Sequence, residues 1–126
     1  MKTRSLGESF RCAIEGVLFA LRTERNMTLH FLSAALSLLI AAILQVTPLE
    51  LACLTLTIAL VLICELANTA IEILCDIICA DLEPRIRRVK DVAAGAVLVS
   101  AVSAVIVGIL VLGPRIILQI RWVFKV

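Results

Sequence analysis

The chain has 126 residues, 62% of them hydrophobic and 17% charged, with a mean hydropathy of +1.11. Soluble domains average about 45–50% apolar and about 25% charged residues, and one of this size hides only about two-thirds of its unfolded surface, so the apolar excess must meet lipid or partner chains. A net charge of +2 is too small a bias to argue for a nucleic-acid partner.

In chain order, Lys2 and Arg4 come first, but charges continue and no apolar run develops, which excludes a secretory signal. Phe10, Ile14, Val17, Leu18 and Leu21 recur at helical spacing with Arg11, Glu15 and Arg22 opposite. This predicts an amphipathic helix over 7–25 lying on a membrane surface. Residues 29–46 are eighteen without formal charge, apart from His30 if protonated, close to the ~20 that cross a bilayer. Thr47-Pro48-Leu49-Glu50 reads as a tight turn. A second apolar run over 51–80 carries Glu65, Asn68, Thr69, Glu72 and Asp76; as a helix it is about 45 Å long, so one end should protrude. Residues 81–91 are charged, and 92–112 form a third span with no charge. Gly113-Pro114 is expected to close it, leaving a 113–126 tail. The length supports one domain, 1–126. The result is an all-α membrane protein: a surface helix and three spans.

Five basic residues lie in 1–25, none in the 47–50 turn and four in 81–91. By the positive-inside rule the N-terminus and the second loop are cytoplasmic and the turn is outside. Arg115, Arg121 and Lys125 in the tail run against that bias. The five cysteines, Cys12, Cys53, Cys64, Cys75 and Cys79, are odd in number and lie mostly in apolar runs, as small buried residues do. Cys75 and Cys79 are one helical turn apart, but no second pair at zinc-ligand spacing accompanies them.

The carboxylates of the second span are the most informative feature, because an ionised acid at bilayer depth costs several kcal/mol. At 100° per residue, Glu72 sits about 20° to one side of Glu65 and Asp76 about 20° to the other, with Asn68 and Thr69 within about 60°. A polar stripe can act simply as interhelical glue in an oligomer. Carboxylates serve that purpose poorly unless protonated or paired, and the span holds no Lys or Arg. The stripe therefore points to cation binding or proton movement. Glu24, just before the first span, lies at the level of Glu72 and Asp76 and completes an oxygen-ligand set suited to Mg²⁺, which takes a few carboxylates with waters and phosphates. Arg85, Arg87 and Arg88 add cations beside those acids and are equally well read as orientation signals alone, whereas Lys90 at the start of the third span is placed to reach a phosphate. Metal-binding acids, a nearby Lys and a deeper carboxylate suggest phosphoryl transfer to an acceptor dissolved in the bilayer, with Glu65 deprotonating an alcohol. No Walker or kinase glycine loop occurs.

Glu65, Asn68, Glu72 and Asp76 in the pattern E-x-x-N-x-x-x-E-x-x-x-D, followed by Lys90-Asp91-Val-Ala-Ala-Gly, resemble the signature of the small prokaryotic diacylglycerol kinase family, which includes undecaprenol kinases. The likeness runs from residue 10 to about 112 and includes Phe10, Ala13, Gly16 and Thr23-Glu24-Arg25-Asn26. It implies a homotrimer of three-span protomers in the bacterial cell membrane, with active sites near the cytoplasmic face. It further implies Glu65 as catalytic base, Glu24 and Glu72 as Mg²⁺ ligands, Lys90 and Asp91 on ATP, and Asn68 and Asp76 in support. Asp81 and Glu83 fall in the family's nucleotide-side loop, with different residue types. Leu18 and Leu21 replace the Arg and Trp frequent in the surface helix, and Ala93-Ala94 replaces a Gly-Ser of some diacylglycerol kinases. The latter resembles the undecaprenol kinase branch and favours undecaprenol over diacylglycerol as lipid alcohol acceptor. The competing class is a small oligomeric proton-coupled transporter, which needs only the deep Glu65.

Overall fold

The computed structural model describes residues 5–78 and 83–124. Four helices follow in order: α1 (Leu6–Thr23), α2 (Arg25–Ile43), α3 (Pro48–Ile78) and α4 (Pro84–Phe124). Of these, α2, α3 and α4 are long and apolar enough to cross a membrane. The chain is an all-α membrane protein with an additional N-terminal helix.

Local sequence sets each boundary. Ser5 caps α1 in a reciprocal box with Glu8, satisfying two backbone donors that would otherwise be orphaned. The helix exposes Leu6, Phe10, Ile14 and Leu18, the apolar face expected to lie against lipid. It stops at Glu24, which is extended (φ −103°, ψ 115°) and also precedes α2. Thr28 stitches this corner by donating its hydroxyl to the Leu21 carbonyl at 3.1 Å.

α2 ends with Gln45 at φ +49°. The Gln45 amide donates to the Ala42 carbonyl at 3.3 Å and the Val46 amide to Ala41 at 3.2 Å. These two bonds make a Schellman closure with glutamine where glycine is usual. Thr47 and Glu50 then cap α3: the Glu50 carboxylate accepts from the Thr47 amide (2.7 Å) and hydroxyl (2.8 Å), and the Glu50 amide donates back to the Thr47 hydroxyl at 3.3 Å. Helix α3 thus starts inside the segment expected to be a turn.

Two expectations need correction. Gly113-Pro114 does not end the third span; α4 runs on through Pro114 to Phe124. Proline removes one backbone donor, but in a membrane helix the freed carbonyl finds other partners, and its fixed φ is itself helical. The charged stretch before the third span is also not all loop, because α4 starts at Pro84, with proline in the first turn where its missing amide costs nothing. At 41 residues, α4 is about 60 Å long, far more than the hydrocarbon layer.

Helix α3 is the centre of the bundle. It packs along α4 and, over a shorter length, against α2. Near the α2–α3 turn, Ala41, Leu54 and Leu112 form a buried cluster with Val46, Val107 and Val111 around it. Because α2 and α4 scarcely touch, a groove of about 580 Å³ remains between them over α3.

Candidate active site

The acidic stripe faces the interior of the bundle. Glu65 is 1% exposed, Thr69 4% and Asn68 7%, with Met27 of α2 fully buried. All of α3's other buried residues lie on this side: Leu54, Val61 and Cys75 follow the same helical repeat. Packing against α2 and α4 therefore buries the part of the stripe at Glu65, Asn68 and Thr69, while Glu72 is half-buried and Asp76 exposed.

Within it, Thr69 donates its hydroxyl to the Glu65 carbonyl at 3.0 Å, and Asn68 Nδ2 donates to Glu72 Oε1 at 3.0 Å. That bond orients the Glu72 carboxylate and leaves its second oxygen uncommitted. Two buried acceptors, Glu65 Oε2 and Asn68 Oδ1, have no hydrogen-bond partner. Leaving such groups unmet costs about 1–3 kcal/mol each and more for a charge, so they mark the stripe as a candidate place for a water, an ion or a ligand. His30 of α2, Glu24 at the α1–α2 corner and Glu72 of α3 are the ionisable side chains that lie toward the Glu65 carboxyl. The α1–α2 corner and the α3 stripe thus meet at one end of the bundle, the junction end.

Lys90 of α4 crosses to α3, where its ammonium donates to the Asp76 carboxylate. That contact places Lys90 beside the stripe and occupies Asp76, whose side chain remains 62% exposed. Asp91 is exposed on the next position of α4. Glu83 precedes α4, accepts from the Ile86 amide at 3.0 Å and lies 3.8 Å from Arg85, so it acts here as a helix-start residue. Asp81 and Cys79 lie outside the described residues.

Among the described residues no three His, Cys, Asp or Glu side chains converge on one point to hold a metal. A structural zinc or calcium cage needs more protein ligands than this. Mg²⁺ is different, since it is commonly held by one or two carboxylates, with waters and substrate phosphates completing the shell. Glu24 and Glu72, with the open Asn68 oxygen between the stripe acids, fit that donor chemistry.

Sequence reasoning passed over two residues. His30 appeared only as an interruption of an apolar run, yet it reaches the Glu65 neighbourhood and lines the groove; being the sole histidine was its one signal. Arg115 looked like a stray tail charge. Instead it forks onto Glu50, with Nε 3.2 Å from Oε1 and Nη2 2.6 Å from Oε2, and its Nη1 donates to the Leu44 and Gln45 carbonyls at 3.4 and 3.1 Å.

The family model described as prokaryotic diacylglycerol kinase matches residues 11–112. Over 101 residues the chain is 41% identical to a diacylglycerol kinase of Synechocystis sp., covering 79% of this chain and 58% of that protein. Over 108 residues it is 36% identical to the undecaprenol kinase of Bacillus subtilis, covering 86% of this chain and 88% of that one. The chain therefore spans little more than half the length of the Synechocystis relative and most of the Bacillus one.

Proposed function

Because this chain belongs to the prokaryotic diacylglycerol kinase family, we propose that it is a lipid kinase that transfers the γ-phosphate of ATP to a membrane alcohol, with undecaprenol the favoured acceptor and diacylglycerol the other. The observation that carries this reading is the Glu65 carboxylate, buried in an apolar helix with an oxygen that no protein group meets. An alcohol donates its hydroxyl hydrogen to such an oxygen, and the carboxylate then takes the proton as the hydroxyl oxygen attacks the γ-phosphorus and the bond from that phosphorus to the bridging oxygen breaks, releasing ADP. Glu65 and Glu72 are separated by about 10 Å of helix rise, which sets the acceptor deeper than the phosphates.

Glu24 and Glu72 would hold Mg²⁺, and when bound the ion neutralises charge on the β- and γ-phosphates. Asn68 keeps Glu72 turned toward that position through its 3.0 Å bond. Asp76 holds Lys90 extended across the helix pair, where its ammonium can meet a phosphate oxygen. Asp91 and Glu83 flank the nucleotide side, and the family likeness alone assigns Asp81 to it. The positive-inside bias puts this end at the cytoplasmic face of the bacterial cell membrane, where ATP is available. Family likeness supports a homotrimer in which neighbouring protomers share the sites.

Ala93-Ala94 after Lys90-Asp91 is the feature that favours undecaprenol. The test is direct: purified protein in vesicles containing both lipids, with labelled ATP and Mg²⁺. Label is expected in undecaprenyl phosphate ahead of phosphatidate, and transfer to neither lipid overturns the kinase assignment.

A further inference from the structure

Helix α4 outruns the rest of the bundle. Arg115 is level with Glu50 in the first turn of α3, and α2 has ended by Ile43. Residues 116–124 nevertheless continue as helix, an overhang of about 13 Å in which every residue is exposed. Leu118 and Trp122 prolong the face by which Val107 and Val111 pack on the core, yet Trp122 is 78% exposed because the helices it would meet have stopped. The family match ends at residue 112, so the likeness assigns this segment nothing.

The overhang is not built like a solvated tail. At 100° per residue from Ile116, Ile117 lies at about 100°, Leu118 at about 200°, Trp122 at about 240° and Val123 at about 340°. No side wider than about 100° lacks a large apolar residue. A helix that docks on one partner needs a single apolar stripe with a polar back, whereas one that is apolar all round needs apolar surroundings. Arg121 falls in one of the two gaps and is exposed. Its long stem can lie along lipid while the guanidinium reaches a phosphate.

We propose that residues 116–124 are a lipid-embedded anchor, lying in the membrane face beyond the α2–α3 turn, with Trp122 and Arg121 in the headgroup layer. Tryptophan and arginine are the side chains that favour that layer. The lengths agree. Residues 92–124 of α4 measure about 48 Å, whereas the hydrocarbon with one headgroup layer is about 36 Å deep. A tilt of about 40°, at the upper end of the range for membrane helices, reconciles the two. Interfacial anchors are what fix such a tilt. The anchor is independent of the kinase reading and of the acceptor.

The chain has one tryptophan and no tyrosine, so the intrinsic fluorescence of the unsubstituted protein reports Trp122 alone. In phosphatidylcholine vesicles brominated either near the headgroup or near the chain end, the shallow bromines should quench about twofold or more strongly than the deep ones. Acrylamide in the water should quench weakly. Arg121→Glu sets a carboxylate against the phosphates and should raise acrylamide quenching about twofold or more, whereas Arg121→Lys should not. Acrylamide quenching as strong as for free tryptophan, with no effect of the bromolipids, makes the segment an aqueous tail and overturns the proposal. Quenching by neither reagent, or emission that shifts as the protein is diluted with lipid, means that a second copy covers Trp122 and overturns it too. Strongest quenching by the deep bromines removes Trp122 from the headgroup layer, and an unchanged signal in Arg121→Glu removes the phosphate contact; each overturns the placement.

Discussion

The two ends of the bundle treat their polar groups in opposite ways. At the turn end, Glu50 receives four hydrogen bonds, two from Thr47 and two from Arg115, and the spare Arg115 nitrogen covers the carbonyls that terminate α2. Donors and acceptors there are matched within the chain. At the junction end, Glu65 and Asn68 each keep a buried acceptor without a partner. A membrane protein gains nothing from unmet polarity in its interior, so the contrast separates a closure from the candidate site: one end is complete within the chain, and the other leaves acceptors unmet.

Substitutions at the two ends should therefore have opposite effects. The largest change expected is from Glu65→Gln, which removes the base and should lower turnover by about 10²–10⁴-fold while ATP-Mg binding and the thermal midpoint hold. Loss of nucleotide affinity in that variant would place Glu65 on the wrong side of the site. Glu72→Gln should act next most strongly, raising the Mg²⁺ concentration needed for half-maximal activity by about tenfold or more together with the KM for ATP; an unaltered Mg²⁺ requirement rules out a ligand role. At the other end, Arg115→Ala strips Glu50 of its fork and exposes the end of α2, and should lower the thermal midpoint with kcat close to the parent. If activity falls and stability does not, the two ends are not independent. Gln45→Gly should have the smallest effect, a gain of about 1 kcal/mol in stability from relieving a left-handed residue, read as a small rise in midpoint.

Much of the site was legible in the sequence because helices repeat every 3.6 residues, and one known rotation puts Glu65, Glu72 and Asp76 on a common face. The same regularity exposed the spans. Contacts between distant residues were not legible. Arg115 meets Glu50 from 65 positions away, and no local pattern encodes that distance. The pairing of Lys90 with Asp76 was not legible either, because it depends on how α4 crosses α3. The end of the third span was misread because Gly-Pro is a reliable helix stop in water, whereas inside a bilayer the cost of leaving the helix exceeds the cost of one missing amide.

The sequence by itself determined that the protein lives in a membrane and which acids share one helical face, because both follow from composition and helical periodicity, properties of one segment at a time. Only the tertiary structure decided which of those acids are left unmet, that α2 and α4 stand apart to leave a groove, and that a charge beyond the third span closes the opposite end. Those features arise where separate helices meet, and the free energy of that meeting is not a property of any one of them.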